Sequence, residues 1–145
     1  IKGDLMIKDK QVYVGEVAAR VSGSFNSGRT VPLATGFALH EAVVNVAMGT
    51  PNLTEILHAD PMGAACERTL VANKGGVVSK IDLSGMARLE QAPDTVHVWV
   101  KEGSKVAPPT SNMDKLANVV CWRRSREEAQ RAAEEALRAV KIDIE

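Results

Sequence analysis

Two strand-like runs rich in apolar residues open the chain, Gly3 to Ile7 and Val12 to Val21, with the polar stretch Lys8-Asp9-Lys10-Gln11 between them. Short runs joined by a few polar residues predict a β-hairpin. From Ser22 to Gly36 the chain turns to Gly, Ser, Thr, Asn and Pro with scattered apolar residues, which breaks both the helical and the strand period and predicts a long loop. Leu39, Val43, Val44 and Ala47 then fall at helical spacing within Phe37 to Met48, and Gly49 and Pro51 stop the run. A helix buried along that face is expected.

Leu53 to Leu57 reads as a short turn, and Asp60-Pro61-Met62-Gly63 interrupts the chain, so a second unit is expected to start there. The division is into two domains, residues 1–60 and residues 61–145. In the second, Ala64 to Ala72 and Val77 to Ile81 are strand-like on either side of Asn73-Lys74-Gly75-Gly76, a hairpin signal because Gly readily takes positive φ. Leu83 to Gln91 predicts a short helix. Thr95 to Lys101 alternates, with Val96, Val98 and Val100 on one side and His97 and Trp99 on the other, and Ala117 to Arg124 forms a further strand after a Pro-interrupted loop. Ser125-Arg-Glu-Glu128 is a capping box, the Ser hydroxyl accepting from the third helical amide while Glu128 reaches back. Ala129, Ala132, Ala133, Ala136, Leu137 and Val140 then make an apolar stripe, and Lys141 to Glu145 reads as a final strand. The fold class expected is α+β: antiparallel strands plus a helix first, then a small α+β sandwich.

Composition narrows the function classes. Hydrophobic residues make up 45% of 145, enough for a sizeable core. Eighteen basic residues balance eighteen acidic ones, which removes the electrostatic footprint of a nucleic-acid or anionic-membrane binder. No apolar run approaches the roughly 18 residues that cross a bilayer. The expected partner is a small molecule and the expected location cytoplasmic. Cys66 and Cys121 lack a CxxC neighbour and read as reduced core thiols, and His40, His58 and His97 have no helical pairing that would suggest zinc.

Candidate chemistry sits at the first hairpin. On a regular strand Glu16 and Arg20 share a face with Val12, Val14 and Ala18. A three-residue turn at Asp9-Lys10-Gln11 sets Asp4 opposite Glu16, with Cβ atoms roughly 4.5–5.5 Å apart. Facing carboxylates repel unless a cation lies between them, and Mg²⁺ takes one or two protein carboxylates and completes its shell with water and substrate phosphates. Arg20 lies about 13 Å further along the backbone, but its planar fork can bend back to a phosphoryl group. Solvated charges on an open sheet face are the competing reading.

The run Gly3-Asp4 … Val14-Gly-Glu16-Val-Ala-Ala-Arg20-Val-Ser-Gly23, followed by Val31-Pro-Leu-Ala-Thr-Gly36, a helix and Ala47-Met-Gly49, resembles the last part of the ATP-grasp fold. It is most similar to the carbamoyl-phosphate-synthase-like and L-amino-acid-ligase-like branches, from Gly3 to about Thr50. Gly75-Gly-Val-Val, Val106-Ala-Pro-Pro-Thr-Ser and the final helix resemble the small C-terminal domain of the same branches. The resemblance implies that Asp4 and Glu16 hold Mg²⁺ or Mn²⁺ between ATP phosphates and that Arg20 is catalytic, contacting the transferred phosphate. Two positions depart from the family pattern: the first ligand is commonly Glu and here is Asp4, and a further Asn ligand is replaced by Ala18, as in the amino-acid-ligase-like branch.

What the resemblance implies is a carboxylate activated by ATP to an acylphosphate, then attacked by an amine or similar nucleophile, giving ADP and phosphate. ATP and a small carboxylate are the implied partners, and a homo-oligomer is compatible. The loop from Ser22 to Thr35 would help shape the acceptor pocket, with Arg29 pairing a substrate carboxylate; a solvent-facing Arg29 is the alternative. The family's strand-borne lysines, adenine pocket and phosphate loop have no counterpart in these residues. The chain alone is therefore expected to be inactive and to hold no cofactor. The expectation from another class is a non-catalytic oligomerisation or partner-binding module in which Asp4, Glu16 and Arg20 are surface charges.

Overall fold

The computed structural model describes residues 1–50 and 60–145. Strands β1 (Lys2–Lys8) and β2 (Gln11–Ala18) form the expected hairpin, β2 stopping before Val21. Lys8 pairs with Gln11, so the turn is the two residues Asp9 and Lys10, at φ 51° and 64°, shorter than the three-residue turn expected. Positive φ at both central residues matches the twist of the strands. The shorter turn alone would bring Asp4 opposite Gly15. Instead the register shifts between Asp4 and Leu5, so that Leu5 pairs with Val14 and Asp4 with Glu16, leaving Gly15 as the extra residue of a β-bulge. A Cβ at Gly15 would lie 3.3 Å from the Asp4 carbonyl oxygen, which suits a residue without one.

The bulge also changes the faces. Val12 and Val14 pair with Ile7 and Leu5, whereas Glu16 pairs with Asp4, and neighbours along β1 point to opposite sides. Glu16 therefore does not share a face with Val12 and Val14, contrary to the regular-strand expectation.

The segment expected as a long loop contains two short helical pieces. At Asn26–Thr30 the amides of Arg29 and Thr30 both donate to the Phe25 carbonyl, at 2.8 and 3.0 Å, in a π-type turn. Helix α1 (Val31–Thr35) follows, with proline in its first turn and Gly36 closing it at φ 72°. Helix α2 (Leu39–Ala47) forms as predicted, but its expected buried face does not: no α2 residue is buried, and Val43, Val44 and Val46 are exposed. Periodicity marks an apolar stripe without saying whether anything covers it. The turn expected over Leu53 to Leu57, and His58, lie outside the described residues.

Beyond Gly63 come β3 (Ala64–Leu70), β4 (Gly76–Asp82), β5 (Thr95–Val98), β6 (Lys105–Val106), β7 (Ala117–Arg123), helix α3 (Arg126–Ala139) and β8 (Lys141–Ile144). They build two antiparallel three-stranded sheets, ordered β3-β7-β5 and β6-β4-β8. The β3–β4 hairpin expected at Asn73 to Gly76 does not form, because the two strands enter different sheets. Gly76 serves close approach instead. A Cβ there would collide with the Glu145 carbonyl oxygen and lie 2.6 Å from Ile144 Cγ2, beside the Val77 amide that donates to Glu145 at 2.7 Å. The helix expected over Leu83 to Gln91 is only a 3-10 turn, Ser84–Arg88, started by the Asp82 carboxylate accepting from the Ser84 amide at 2.8 Å.

The core lies between α3 and the β3-β7-β5 sheet. Ala129, Ala133 and Ala136 are buried, and Ala133 and Ala136 pack with Ala117, Val119, Cys121 and Val140. Small residues on that stripe let the helix approach the sheet, and β7 supplies an almost continuous apolar strand. The capping box is complete: Ser125 Oγ accepts from the Glu128 amide at 3.2 Å and Glu128 Oε2 accepts from the Ser125 amide at 3.1 Å. Cys66 and Cys121, distant in sequence, pair across β3 and β7 as free thiols, and burial pushes the Cys121 thiol up. The architecture is mixed α/β with antiparallel sheets. Among the described residues no helix is long and apolar enough to cross a membrane.

Candidate active site

The hairpin brings together three of the four residues singled out in the sequence. Asp4 on β1 and Glu16 on β2 are direct cross-strand partners, and each exposes 57% of its side chain. Arg20, just past the end of β2, folds back until its Nη2 is 4.0 Å from Glu16 Oε1, while its Nη1 donates to the Val21 carbonyl at 3.1 Å. Arg29 stands apart in the π-type turn, exposed, and among the described residues no ion pair joins it to the other three.

A fourth participant was missed in the sequence. Lys2 Nζ donates to Asp4 Oδ2 and lies 3.6 Å from Glu16 Oε1, so its ammonium stands between the two carboxylates. The hydrogen bond to Asp4, followed by the charges of Asp4 and Glu16, holds the Lys2 amine above its ordinary range. The available signal was its spacing: two residues before Asp4 on one strand is the same face. Facing carboxylates attract a cation, and here the chain provides one of its own.

The donor set fits a hard divalent cation that is completed by a substrate. Asp4 and Glu16 offer anionic oxygens open to solvent, and a single ammonium, hydrogen-bonded to Asp4 and 3.6 Å from Glu16 Oε1, lies near both at once. Among the described residues no group of three or more His, Cys, Asp or Glu side chains is assembled that could enclose a metal by itself. A pair of carboxylates beside an Arg suits phosphate-bridged Mg²⁺ better than a protein-only cage.

A family model described as L-amino acid ligase C-terminal domain 2 matches residues 68–145, more than half of the chain. A search of curated proteins found no match to this chain. Among solved structures, an L-amino acid ligase from Bacillus licheniformis superposes with a TM-score of 0.81 at 23% identity, over 99% of this chain and 35% of that one. A phosphoribosylglycinamide synthetase from Anaerococcus prevotii gives 0.83 at 14% identity, over 99% of this chain and 36% of that one. The biotin carboxylase domain of a Hydrogenobacter thermophilus 2-oxoglutarate carboxylase, a dimer in complex with MgADP and bicarbonate, gives 0.71 at 14% identity over 98% of this chain and 31% of that one. The chain thus spans about a third of the length of these structures, and the likeness reaches across the hairpin as well as the matched domain. This chain belongs to the L-amino acid ligase C-terminal domain 2 family and has the fold of the C-terminal portion of an ATP-grasp ligase.

Proposed function

We infer that these residues are the C-terminal part of an ADP-forming ATP-grasp ligase that activates a carboxylate with ATP and joins it to an amine or similar nucleophile. The observation that carries this reading is the pairing of Asp4 with Glu16 across the hairpin while Arg20 turns back onto Glu16. Residues 1–60 would close the ATP-grasp domain and residues 61–145, which contain the family match over residues 68–145, would form the small C-terminal domain.

In this reading Asp4 and Glu16 hold Mg²⁺ or Mn²⁺ against the nucleotide phosphates. When bound, the metal neutralises phosphate charge and orients the γ-phosphoryl group for in-line transfer. Arg20 presents a planar donor pair to the transferred phosphoryl oxygens, a role in which a point charge is a poor substitute. Lys2 keeps the two carboxylates from splaying apart before substrate arrives. Arg29 is assigned to a substrate carboxylate on the strength of its exposed place in the loop that follows Arg20. The ATP pool makes the cytoplasm the natural location.

The test is release of ADP by the intact protein offered pairs of carboxylates and amines with Mg²⁺–ATP. ADP formation that needs both members of a pair is the expected result. No ADP from any pair, or ADP formed without the carboxylate, would count against the reading.

A further inference from the structure

Between β2 and α1 the chain is fastened to the family-matched domain by a chain of polar contacts. Ser24 lies in this loop at φ 55°, in the left-handed region that a residue with a Cβ rarely enters unless other contacts hold it there. Its Oγ donates to Glu67 Oε1 at 2.5 Å and accepts from Lys115 Nζ at 2.9 Å. The same Glu67 oxygen accepts from Asn118 Nδ2 at 2.6 Å.

Asn118, on β7, is wholly buried, and it donates also to Thr69 Oγ1 at 2.7 Å while its Oδ1 accepts from Trp99 Nε1 at 2.6 Å. An indole N–H can only donate, so the amide oxygen has to face Trp99 and the NH₂ has to face Glu67. The orientation is not free, and the position of the Glu67 carboxylate follows from it. Apolar contact runs alongside: the Phe25 ring centroid is 5.8 Å from that of His97 and 6.1 Å from that of Trp99. The network is anchored at the buried Asn118 amide, which all its partners hold in one orientation, and it runs outward through Glu67 to the exposed Ser24, in the loop that begins just after Arg20.

We propose that Ser24, Glu67 and Asn118 form a latch by which the β3-β7-β5 sheet fixes the Ser22–Thr30 loop, which makes them positioning residues for Arg20. The consequence for Arg20 rests on the ligase reading; the latch itself does not. The C-terminal domain then acts on the candidate site through the loop, by holding the chain that leaves it.

The experiment is amide hydrogen exchange on the intact protein, with ADP-release kinetics in parallel. Glu67→Ala removes the shared acceptor, whereas Glu67→Gln keeps a side-chain oxygen for both donors. Exchange across Ser22–Thr30 should be about tenfold faster in Glu67→Ala, close to wild type in Glu67→Gln, and unchanged in β4 and β8 in both. Should Glu67→Ala fail to fold, Ser24→Gly serves instead, since it accepts the left-handed φ while removing the hydroxymethyl group that makes both contacts. It should also speed loop exchange, and lower kcat about tenfold with KM for ATP within about twofold. Loop exchange within about twofold of wild type in Ser24→Gly overturns the latch. Faster exchange with unaltered kcat overturns its role in positioning Arg20. If wild-type protein releases no ADP with any pair, the ligase reading fails, and the exchange rates still decide the latch.

Discussion

Asp4, Glu16 and Arg20 are ordinary charged residues whose meaning comes from being neighbours. In the intact protein, Glu16→Gln should lower ADP release by roughly 10²-fold or more while circular dichroism stays native, because charge neutralisation is the principal catalytic term in phosphoryl transfer. Arg20→Lys should also be severe, about tenfold or more in kcat, since an ammonium cannot reproduce the two-donor fork. If both variants turned over like wild type, the residues would be surface charges after all. Lys2 Nζ contacts Asp4 and lies 3.6 Å from Glu16 Oε1, so one positive charge already faces both carboxylates.

Secondary-structure elements in the C-terminal domain are held by local devices whose removal should be measurable. Ser125→Ala deletes the cap of α3 and should cost about 1 kcal/mol in urea unfolding, with no effect on ADP release. Gly76→Ala should cost about 1–3 kcal/mol, because the added methyl meets the Glu145 carbonyl and the Ile144 side chain with no space to yield. Asp114 closes the turn before β7, accepting from the amides of Thr110 at 2.8 Å and Ser111 at 2.9 Å. Those amides, then the hydroxyls, hold its carboxyl below the ordinary range. A depressed carboxyl stabilises the fold above its unfolded pKa and loses that contribution as pH falls through the folded value. Amide protection at Thr110 and Ser111 should therefore survive at neutral pH and fade in acid below the ordinary Asp range; retention at the lowest pH would contradict it.

Taken as a unit, the chain presents apolar surfaces that its described residues do not cover. Leu5, Ile7, Val12 and Val14 on the hairpin and Val43, Val44 and Val46 on α2 are all exposed, while the C-terminal core is closed. In the ligase reading the nucleotide site needs contacts beyond Asp4, Glu16 and Arg20. The isolated chain should accordingly show no micromolar ATP binding by calorimetry, with or without Mg²⁺, and no ADP release. Micromolar binding would require a nucleotide site within these residues.

Much of this molecule could be read along the chain. The hairpin, α2, the strands after Gly63 other than β6, and the capped α3 each rest on local chemistry, such as the Ser125–Glu128 box, that acts within a few residues. The pairing of Asp4 with Glu16 was also legible, although the route to it was not: a two-residue turn and a bulge at Gly15 replace the three-residue turn, and they turn Val12 and Val14 to the other face. A glycine signals that a bulge is affordable there, not that one forms. Some misses were local, such as the 3-10 turn at Ser84–Arg88 where a helix was expected, and the others were long-range. Gly75-Gly76 looks like a hairpin turn, yet which strand β4 pairs with depends on residues some sixty positions later, at Lys141–Ile144. The meeting of Cys66 with Cys121 and the reach of Asn118 through Glu67 to Ser24 depend likewise on contacts between distant segments. Periodicity and motif spacing fix which way a side chain can point from its own element, but what it meets there is set by packing between elements.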